Sequence, residues 1–421
     1  MFTYLIVNHV PFGKTNKPNT FKVGSMWLED LHATQQAMQE FGIQLMLATP
    51  LVENLEEEQS GSFDLVEINP QEEGFEYYPL PGYFTPKEFL KIYFRLRKIL
   101  TQVITHADII QADYGGYPIA LGQVVWPLLK NKPKIWVFDG GDPFSLQARN
   151  IQNQRSFLKK SLQFFLMRQF EVFCQRAIAQ ADLVFSHNEA VVRRFQKVWD
   201  ERHCYLFPRT FVHIDTIITE QDWQKRQKNI LENNILRLVI ASRQILIKGT
   251  DQVIKAIKTV RDQGIAVELD VLGEGEDLPY FKKLTQQLEL AQFIRFHGQV
   301  PYGASLFDYW AKADVMVITN LTSEISRNVF LAMARGLPLV IYRNPGTDNL
   351  IESNQAGILV AANDIDGLAN AFHQLAHHRE QLIELGNNGL QLVKQHTLEN
   401  CHRKRAELAL SLLKTSSVSS F

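Results

Sequence analysis

The sequence predicts an α/β protein made of two units, each built around a parallel sheet. Short buried-strand patterns recur with helical patterns between them, which is typical of parallel strands joined by crossover helices. The chain has 421 residues, more than a single hydrophobic core commonly supports. The strand pattern also stops across the polar, charged residues 209–234 and then restarts. We therefore expect a first unit over residues 1–207 and a second over residues 208–398.

Twelve segments have the apolar, β-branched character of strands that are buried on both faces. In the first unit they lie at residues 4–7, 43–48, 108–112, 134–138, 183–186 and 204–207. In the second they lie at residues 236–241, 267–272, 293–297, 315–318, 339–342 and 357–360. A last helix is expected within residues 399–421, and its periodicity leaves open whether it packs on the second unit or crosses back to the first.

Composition and charge limit the classes of function. Hydrophobic residues make up 45% of the chain and charged residues 21%, as in ordinary soluble globular proteins. A net charge of −1 gives no general attraction to nucleic acid, so we expect no nucleic-acid partner. Cys174, Cys204 and Cys401 lie far apart, which favours a reduced, cytoplasmic setting. The sequence shows neither a signal peptide nor an apolar run long enough for a membrane helix.

One helix of the first unit is expected to have an unusual surface. Thr85, Pro86 and Glu88 form a helix start signal, with Thr as N-cap and Pro at the first helical position. Residues 87–98 then combine an apolar stripe with basic side chains, and residues 157–168 are a second basic-aromatic segment. Both segments fit amphipathic helices that pack on the sheet with a solvated basic face. They also fit peripheral contact with an anionic membrane, which would suit a lipid-linked substrate.

A candidate phosphate site follows the strand predicted at residues 236–241. Arg243, Lys248 and Gly249 stand in the loop after it, and a helix is expected from about Thr250. Cations at a strand end, beside helix amides that lack intrahelical partners, form a site for a diphosphate. Arginine and lysine in such a loop are more often simple surface residues, so the assignment depends on the neighbouring loops.

Glycines follow two further strands of the second unit. Gly273 and Gly275 come after the strand at residues 267–272, where the backbone could approach a nucleotide. Gly346 comes after the strand at residues 339–342 and could supply another close approach. Because open α/β sheets bind ligands at the carboxyl ends of their strands, we expect these loops to share one sheet edge with the phosphate site.

The same edge receives one carboxylate. Glu324 lies in the loop between the strand at residues 315–318 and a short apolar helix that begins near Asn328. Gly336 and Pro338 end that helix in the usual order. A carboxylate at the mouth of a strand–loop–helix unit sits where open α/β sheets bind ligands.

These pieces, in this order, resemble the retaining GT-B glycosyltransferases called glycosyl transferases group 1, or family four. The matching stretches are R-x-x-x-x-K-G at 243–249, the strand followed by G-x-G at Gly273, F-H-G-Q-V at 296–300, A-D-V-M-V at 313–317, the Glu324 loop, A-M-A-R-G-L-P at 332–338 and the late Gly357. The match covers about residues 236–400. The resemblance implies two Rossmann-like domains whose parallel sheets face each other across a cleft.

The resemblance also implies roles in the second unit. Arg243 and Lys248 would grip the diphosphate of a nucleotide sugar, and Glu324 would hydrogen-bond the donor sugar near its anomeric carbon. The positions at which the nucleotide or its phosphates would be approached are Gly249, Gly273, Gly275, Ser326, Asn328, Val329 and Gly346. The donor expected is a UDP-sugar or a GDP-sugar, bound as a substrate, with no separate cofactor and no metal ion.

The sequence departs from the family pattern at one donor contact. The family carries a second glutamate eight residues after the first, which holds the ribose of the nucleotide. Counting from Glu324 gives Ala332, whereas aligning the A-M-A-R-G stretch gives Leu331, and neither residue is acidic. We therefore expect the ribose contact to be missing or replaced.

The first unit matches the family more loosely, and its candidates belong to the acceptor side. Gly24 lies in the glycine-containing loop after the first strand, and Asp113 and Asp142 follow two later strands. Asp139 stands where many relatives have a histidine, which makes it a candidate catalytic residue. Aspartate and glycine in such loops are also ordinary turn chemistry. His187 fits a strand-end histidine better than a catalyst.

The expected function is transfer of a sugar from a nucleotide sugar to a glycan or lipid-linked acceptor, with retention at the anomeric carbon. Such a reaction belongs to polysaccharide or glycolipid biosynthesis in the cytoplasm or at the inner face of its membrane. The competing class is a protein that binds a nucleotide sugar or glycan without turnover. The missing second glutamate favours that class, and Arg243, Lys248 and Glu324 oppose it.

Overall fold

Every strand segment expected from the sequence forms a strand in the computed structural model. The structure describes all residues except 54, 56–63, 84, 116–119, 130–131, 140–141, 143, 145–146, 149–150, 152–155, 209, 323–324 and 419–421, and only the backbone of 86 and 415–418. The strands of the described residues are β1 (Phe2–Val7), β2 (Phe12–Lys14), β3 (Phe21–Gly24), β4 (Ile43–Val52), β5 (Leu65–Ile68), β6 (Glu76–Pro81), β7 (Ile109–Asp113), β8 (Lys134–Phe138), β9 (Leu183–Ser186), β10 (Cys204–Leu206), β11 (Leu236–Ala241), β12 (Val267–Leu272), β13 (Ile294–Gly298), β14 (Val315–Ile318), β15 (Leu339–Tyr342) and β16 (Gly357–Val360).

Helices connect most of these strands, as crossover connections between parallel strands require. In the described residues they are α1 (Ser25–Glu40), α2 (Pro86–Thr105), α3 (Leu121–Val125), α4 (Phe157–Gln180), α5 (Glu189–Arg194), α6 (Glu220–Glu232), α7 (Thr250–Asp262), α8 (Leu278–Gln287), α9 (Ala304–Lys312), α10 (Asn328–Ala334), α11 (Asp348–Ser353), α12 (Ile365–His377), α13 (Arg379–Gln395) and α14 (Leu398–Val418).

The chain divides into two units whose boundary lies close to the expected one. The first comprises Met1–Arg209 together with Leu398–Phe421, and the second comprises Thr210–Thr397. The last helix, α14, therefore belongs to the first unit. It packs along α1, and its Ala406 and Ala409 are buried in the core beneath the first sheet.

Strand order creates a ligand-binding position in the first unit. Its sheet runs β10-β9-β8-β7-β1-β4-β2-β3-β5, and β6 pairs with β4. β1 pairs in parallel with β4 on one side and with β7 on the other. The chain leaves β1 towards β4 and later returns to β7, so the carboxyl ends of β1 and β7 form a topological switch point, where open α/β sheets bind ligands.

Four strands that the sequence did not reveal lie towards one end of this sheet. β2 and β3 form an antiparallel hairpin, and β3 pairs antiparallel with β5. These strands and β6 are short and carry charged or turn-forming residues, so none has the continuous apolar run of a strand covered on both faces. The first sheet is parallel at its centre and mixed at this end.

The second unit has a fully parallel sheet in the strand order of a dinucleotide-binding Rossmann fold. The order is β13-β12-β11-β14-β15-β16. Numbered from 1 to 6 along the second unit, this is the order 3-2-1-4-5-6. Its switch point lies between β11 and β14, which pair through Leu238 and Val239. Apolar clusters cover both faces of this sheet, which explains why all six strands were readable from the sequence.

The helix signals of the sequence are confirmed at two places. At the start of α2, the Thr85 hydroxyl accepts a hydrogen bond from the Glu88 amide, and the Glu88 carboxylate accepts one from the Thr85 amide, both at 3.2 Å. Pro86 occupies the first turn. After α10, Gly336 adopts a left-handed backbone with φ of 66°, as a helix-terminating glycine does.

Candidate functional site

The loop after β11 holds the two predicted phosphate-binding cations. Residues Leu246–Lys248 form a 3-10 turn, and Gly249 follows in the left-handed region with φ of 74° and ψ of 18°. That conformation lets α7 begin at Thr250, directly after Lys248. The Lys248 side chain is half-buried, whereas the Arg243 side chain is exposed and makes no hydrogen bond or ion pair to any other described residue. The Arg243 guanidinium is therefore available to an anionic ligand.

Thr319, just past the end of β14, fixes the position of this turn. Its hydroxyl donates a hydrogen bond of 2.8 Å to the Lys248 carbonyl oxygen, and the Leu321 amide donates one of 2.9 Å to the Ile247 carbonyl. A Cβ on Gly249 would lie 2.5 Å from the Thr319 carbonyl oxygen, so only glycine permits this approach. The contact spans the switch point of the second sheet and joins the loop of Lys248 to the loop that continues towards Glu324.

Gly273 and Gly275 have a structural reason to be glycine. A Cβ on Gly273 would lie 2.0 Å from the Ser242 carbonyl oxygen, and one on Gly275 would lie 2.2 Å from the Gln244 carbonyl oxygen. The buried Gln244 side chain joins these loops, since its amide nitrogen donates to the Ser242 carbonyl at 2.7 Å and its oxygen accepts from the Thr250 hydroxyl at 2.9 Å. The two glycines thus let the Arg243 loop pack closely on β12, and their contact with a nucleotide stays a prediction.

The start of α10 is built into the same edge. The Asn328 side-chain amide donates to the Ala241 carbonyl, the Val329 amide donates to the Ser326 carbonyl at 3.1 Å, and the Asn328 amide donates to the Ser326 hydroxyl at 3.4 Å. These bonds tie α10 to the end of β11. The predicted sugar-binding Glu324 lies outside the residues that the structure describes.

A small pocket opens beside Ser326, at the carboxyl ends of β14 and β15. Its lining includes Asn320, Val329, Asn344 and Thr347. The Gly346 amide, a predicted nucleotide contact, instead donates to the Asn344 side-chain oxygen at 2.9 Å. Asn344 also donates to the Thr322 carbonyl at 3.1 Å, so this glycine loop supports the Glu324 loop from the other side.

The two positions that replace the second glutamate are part of the core. Leu331 and Ala332 lie in α10, where 4% and 0% of their surface is exposed. Both belong to the apolar cluster under the second sheet. Neither side chain offers a hydrogen bond to a ribose, so the expectation that this contact is missing at these positions agrees with their burial.

In the first unit, Asp113 lies at the switch point. It ends β7, only 1% of it is exposed, and its Oδ2 accepts a hydrogen bond of 2.7 Å from His9 Nδ1, just past β1. Its Oδ1 is buried and has no hydrogen-bond partner among the described residues. A Cβ on Gly115 would lie 1.7 Å from His9 Nδ1, so glycine makes room for the pair.

Asp113 lines a pocket with side chains from distant parts of the chain. We call it the strand-end pocket, and its principal side chains are Trp27, Asp30, Asp113, Asp139, His187 and Arg405. The predicted Asp139 and His187 follow β8 and β9 and therefore meet Asp113 there. Sequence reasoning missed Trp27 and Asp30 on α1 and Arg405 on α14, because nothing in the local pattern signals that α14 returns to this unit.

The charges of this pocket interact strongly. Burial raises the pKa of Asp30, but His402, Arg405 and His187 together hold that pKa well below its ordinary value; His402 Nε2 lies 3.1 Å from Asp30 Oδ1. Burial raises the pKa of Tyr114 well above its ordinary value, and the carboxylates of Asp139 and Asp113 raise it further. The phenol of Tyr114 thus stays neutral beside both carboxylates.

The other two predicted acceptor-side residues, Asp142 and Gly24, lie outside the strand-end pocket. Asp142 is buried, accepts from the Phe144 amide at 3.1 Å and pairs with Arg194 at 3.3 Å. Gly24 ends β3 and precedes α1 with an ordinary extended backbone. Neither residue belongs to the lining of the strand-end pocket. Within the described part of the chain, no three His, Cys, Asp or Glu side chains are grouped as a metal site would require.

Comparisons with known proteins agree with this architecture. Residues 236–378 match the family Glycosyl transferases group 1. A GDP-mannose-dependent alpha-(1-6)-phosphatidylinositol monomannoside mannosyltransferase of Mycobacterium tuberculosis is 26% identical over 163 residues, 37% of this chain and 42% of that protein. The lipopolysaccharide core biosynthesis glycosyltransferase LpsE of Rhizobium meliloti is 26% identical over 146 residues, 34% of this chain and 41% of that protein. The chain thus spans about two fifths of the length of these curated relatives.

The likeness in fold extends over the whole chain. The structure of Anabaena HepE in complex with UDP has a TM-score of 0.62 to this chain at 16% identity, covering 98% of this chain and 100% of that one. At such identity the comparison concerns the fold alone. Taken with the Rossmann strand order of the second unit, residues 236–378 are similar to the glycosyl transferases group 1, and the fold of the chain is the GT-B fold.

Proposed function

We propose that this protein transfers a sugar from a nucleotide sugar to a glycan or lipid-linked acceptor. The observation that carries the proposal is the Thr319 hydroxyl bonded to the Lys248 carbonyl at the switch point of a Rossmann-ordered sheet. This bond holds Lys248 at the edge where such sheets bind nucleotides. The exposed Arg243 guanidinium emerges from the same loop.

In the proposed chemistry, the positive charges of Lys248 and Arg243 lie against the leaving diphosphate. The bond between the anomeric carbon and the donor phosphate oxygen breaks, and a bond to the acceptor oxygen forms on the same face of the sugar. The acceptor proton passes to a phosphate oxygen of the departing nucleoside diphosphate. Lys248 and Arg243 stabilise the charge that develops on that diphosphate, so the cations do work that a metal ion does in other transferases. Glu324 would orient the donor sugar.

The donor proposed is a UDP-sugar or a GDP-sugar. The mycobacterial relative is named for its dependence on GDP-mannose, and HepE was solved with UDP and with UDP-glucose. GDP-mannose and UDP-glucose are both sugars activated by a nucleoside diphosphate, which fits a site with two cations. A glycan or glycolipid acceptor is supported by the molecules in the relatives' names, phosphatidylinositol monomannoside and the lipopolysaccharide core.

A melting-temperature screen of the full chain against UDP, GDP, ADP and their sugars tests the donor assignment. We expect one nucleoside diphosphate family to raise the melting temperature, because a ligand that binds only the folded state stabilises it. The stabilising donor is then incubated with the protein, and the released nucleoside diphosphate is measured with and without acceptor glycans. A chain that no nucleotide stabilises and that releases no diphosphate would end the proposal.

A second candidate function is binding of a nucleotide sugar without turnover. The burial of Leu331 and Ala332 favours it, because the glutamate that family members use for the ribose has no counterpart at either position. The same screen separates the two functions. Stabilisation by a nucleotide sugar, with no diphosphate released in the presence of any acceptor, would identify a binding protein.

We also propose that the first unit contacts an anionic membrane surface peripherally, at the inner face of the cytoplasmic membrane. None of the described helices is long and apolar enough to span a membrane. Phe157 and Leu158 at the start of α4 are 79% and 80% exposed, and Phe94 of α2 is 82% exposed. Other large apolar side chains exposed on these helices are Leu90, Leu162, Phe164, Phe165 and Leu166.

The helices α2 and α4 differ in how much of their apolar surface packs on the sheet. The stripe of α2 is buried at Phe89, Leu96 and Leu100, as expected of a helix that packs on the sheet. The first part of α4 is exposed on its apolar and basic positions alike, including Lys159 and Lys160. Basic side chains interleaved with exposed aromatic rings suit an interface between anionic headgroups and acyl chains.

Flotation with vesicles tests this contact. We expect the chain to float with phosphatidylglycerol-containing vesicles and not with pure phosphatidylcholine. Replacing Lys91, Arg95 and Lys98 by Gln should weaken binding by about two orders of magnitude, at roughly 1 kcal/mol for each basic residue. The matched control replaces the exposed Lys282 and Lys283 of α8 and should float as the wild type does. Equal flotation of both variants would remove the membrane contact.

A further inference from the structure

The strand-end pocket carries chemistry that the donor site does not use. We propose that it selects the acceptor by charge: it binds hydroxyl or ammonium groups of a neutral or amino sugar and rejects anionic sugars. This inference rests on the proposed transfer reaction, which requires an acceptor. It concerns only the first unit, in which all of the pocket's residues lie.

Asp113 has a buried carboxylate oxygen without a hydrogen-bond partner in the described part of the chain. The carboxylate is 1% exposed and lines the pocket, yet its Oδ1 has no hydrogen-bond partner in the described part of the chain. A buried charged oxygen without a donor is costly, so native proteins seldom retain one without a use. A ligand that enters the pocket can supply the donor. Sugar hydroxyls and ammonium groups have a proton to donate, whereas an ionised carboxylate group, such as that of a uronate, only accepts hydrogen bonds.

Carboxylates outnumber the cations in the pocket lining. Among the described residues, Asp30, Asp113 and Asp139 line it together with one guanidinium, that of Arg405, and one imidazole, that of His187. The imidazoles of His402 and His9 lie against Asp30 and Asp113. Arg405 is committed within the protein, since its Nη2 donates to the Gln111 side-chain oxygen at 3.1 Å and its guanidinium lies 5.3 Å from the Phe185 ring. In the described lining, three carboxylates against one guanidinium disfavour an anionic ligand, because like charges at close range repel strongly in a partly buried site.

One wall of the pocket is aromatic. The Trp27 indole lines the pocket from α1 and is half-buried. It is held edge-to-face against Phe12, with ring centroids 5.4 Å apart, so it presents a fixed surface. A flat ring beside carboxylates matches a pyranose, whose C–H face is apolar and whose rim carries hydroxyls. Aromatic rings with a few placed polar groups are the usual lining of small-molecule sites.

The wild-type test compares three probes that share one ring and differ in charge. Saturation-transfer NMR of the full chain is recorded with methyl glucoside, methyl glucosaminide and methyl glucuronide, each at about 20 mM, enough for a dissociation constant in the millimolar range. We expect saturation of the neutral and amino glycosides and little of the glucuronide. Equal or stronger saturation of the glucuronide, or none for all three probes, would overturn the inference.

The variant test isolates Asp113. Asp113→Asn keeps the shape of the side chain and removes its charge, so it should weaken binding of the neutral and amino glycosides about tenfold, as for loss of one charge-assisted hydrogen bond. The control, Glu201→Gln, removes an exposed carboxylate of the same unit and should leave binding unchanged. Unchanged glycoside binding in a folded Asp113→Asn would also overturn the inference.

A separate measurement distinguishes failure of the acceptor-pocket proposal from failure of the donor assignment. The melting-temperature increase caused by UDP or GDP should be the same in Asp113→Asn as in the wild type, because the residue lies in the first unit. If neither nucleotide stabilises the wild type, the proposed transfer fails on its own evidence. The glycoside series then still decides whether the pocket discriminates by charge.

Discussion

The Thr319 hydroxyl donates a hydrogen bond of 2.8 Å to the carbonyl oxygen of Lys248, 71 residues earlier in the chain. Thr319 is 2% exposed and follows β14, while Lys248 precedes α7. The bond therefore joins two loops on either side of the switch point and sets where the Lys248 ammonium projects. A cation that must meet a diphosphate within hydrogen-bonding distance needs such a fixed backbone.

Replacing Thr319 by Val tests this positioning. The methyl-for-hydroxyl exchange leaves the Lys248 carbonyl without its donor, which costs about 1 kcal/mol and loosens the turn. We expect the KM for the donor to rise up to about tenfold while the acceptor dependence stays unchanged. Thr319→Ser keeps the hydroxyl and should recover most of the affinity. Equal donor kinetics for Val and Ser would show that the bond does not position Lys248.

Replacing Lys248 by Ala tests the phosphate assignment itself. Loss of a cation that stabilises the leaving diphosphate should lower kcat by at least about 100-fold with the melting temperature nearly unchanged. Lys282→Ala, an exposed lysine of α8, is the matched control and should keep full activity. Turnover of Lys248→Ala near the wild-type rate would remove the diphosphate role. Glu324→Ala should also abolish transfer, which tests the role implied by the family motif.

The glycines after β12 allow a test of packing against binding. Gly273→Ala places a Cβ 2.0 Å from the Ser242 carbonyl, whereas Gly264→Ala has a similar positive φ and nothing within 4 Å. Both lose about 1–2 kcal/mol from left-handed backbone strain. Gly273→Ala should lose about 2 kcal/mol more in urea unfolding because the Arg243 loop must move. Equal free energies of unfolding for the two variants would contradict the close approach.

How much of the fold the sequence revealed depended on burial. β14 and the last four residues of β11 are covered on both faces, so each reads as an uninterrupted apolar run. β3, by contrast, reads Phe-Lys-Val-Gly and takes its place only through pairing with β2 and β5. Its strand character comes from tertiary contacts, which local patterns do not encode.

The candidate site divides in the same way. The positions of Lys248 and Arg243 in the fold were predictable because their loop follows a readable strand, while their contact with a diphosphate stays a prediction. Arg405 was not, because it reaches the strand-end pocket only after α14 returns to the first unit, 294 residues from its partner Gln111. Motif residues can thus be located from the local sequence. Pocket residues that come from a distant helix such as α14 can be identified only in the structure.

Introducing the family's second glutamate should harm this chain. Ala332 is fully buried, so Ala332→Glu adds volume and a charge to the core of the second unit and should cost about 3–5 kcal/mol of stability. Burial raises a glutamate's pKa, so the loss relative to Ala332→Gln should shrink as pH falls towards about 4.3, where the unfolded carboxyl is protonated. Urea unfolding at several pH values measures this. A stable, more active Ala332→Glu would show that the position does reach the nucleotide.

The three thiols provide a pH-dependent test of the first unit. Cys174, Cys204 and Cys401 are buried, and burial raises the pKa of Cys204 to about 11 and that of Cys401 to about 12. Burial likewise raises the pKa of Cys174 well above its ordinary value. Since the thiolate is the reactive form, a disulfide reagent at pH 8 should modify the native chain at least about 100-fold more slowly than free cysteine.

The same shifts fix the sign of the stability change. A thiol whose pKa is raised on folding contributes stability that is fully present below its unfolded pKa of about 8.5 and is lost as pH rises towards the folded value. The free energy of unfolding should therefore fall between pH 9 and 11, and less so in Cys401→Ala than in the wild type once its packing loss is subtracted. Rapid native labelling of any one thiol, with all three reacting in guanidinium chloride as the denatured reference, would contradict the burial of that residue.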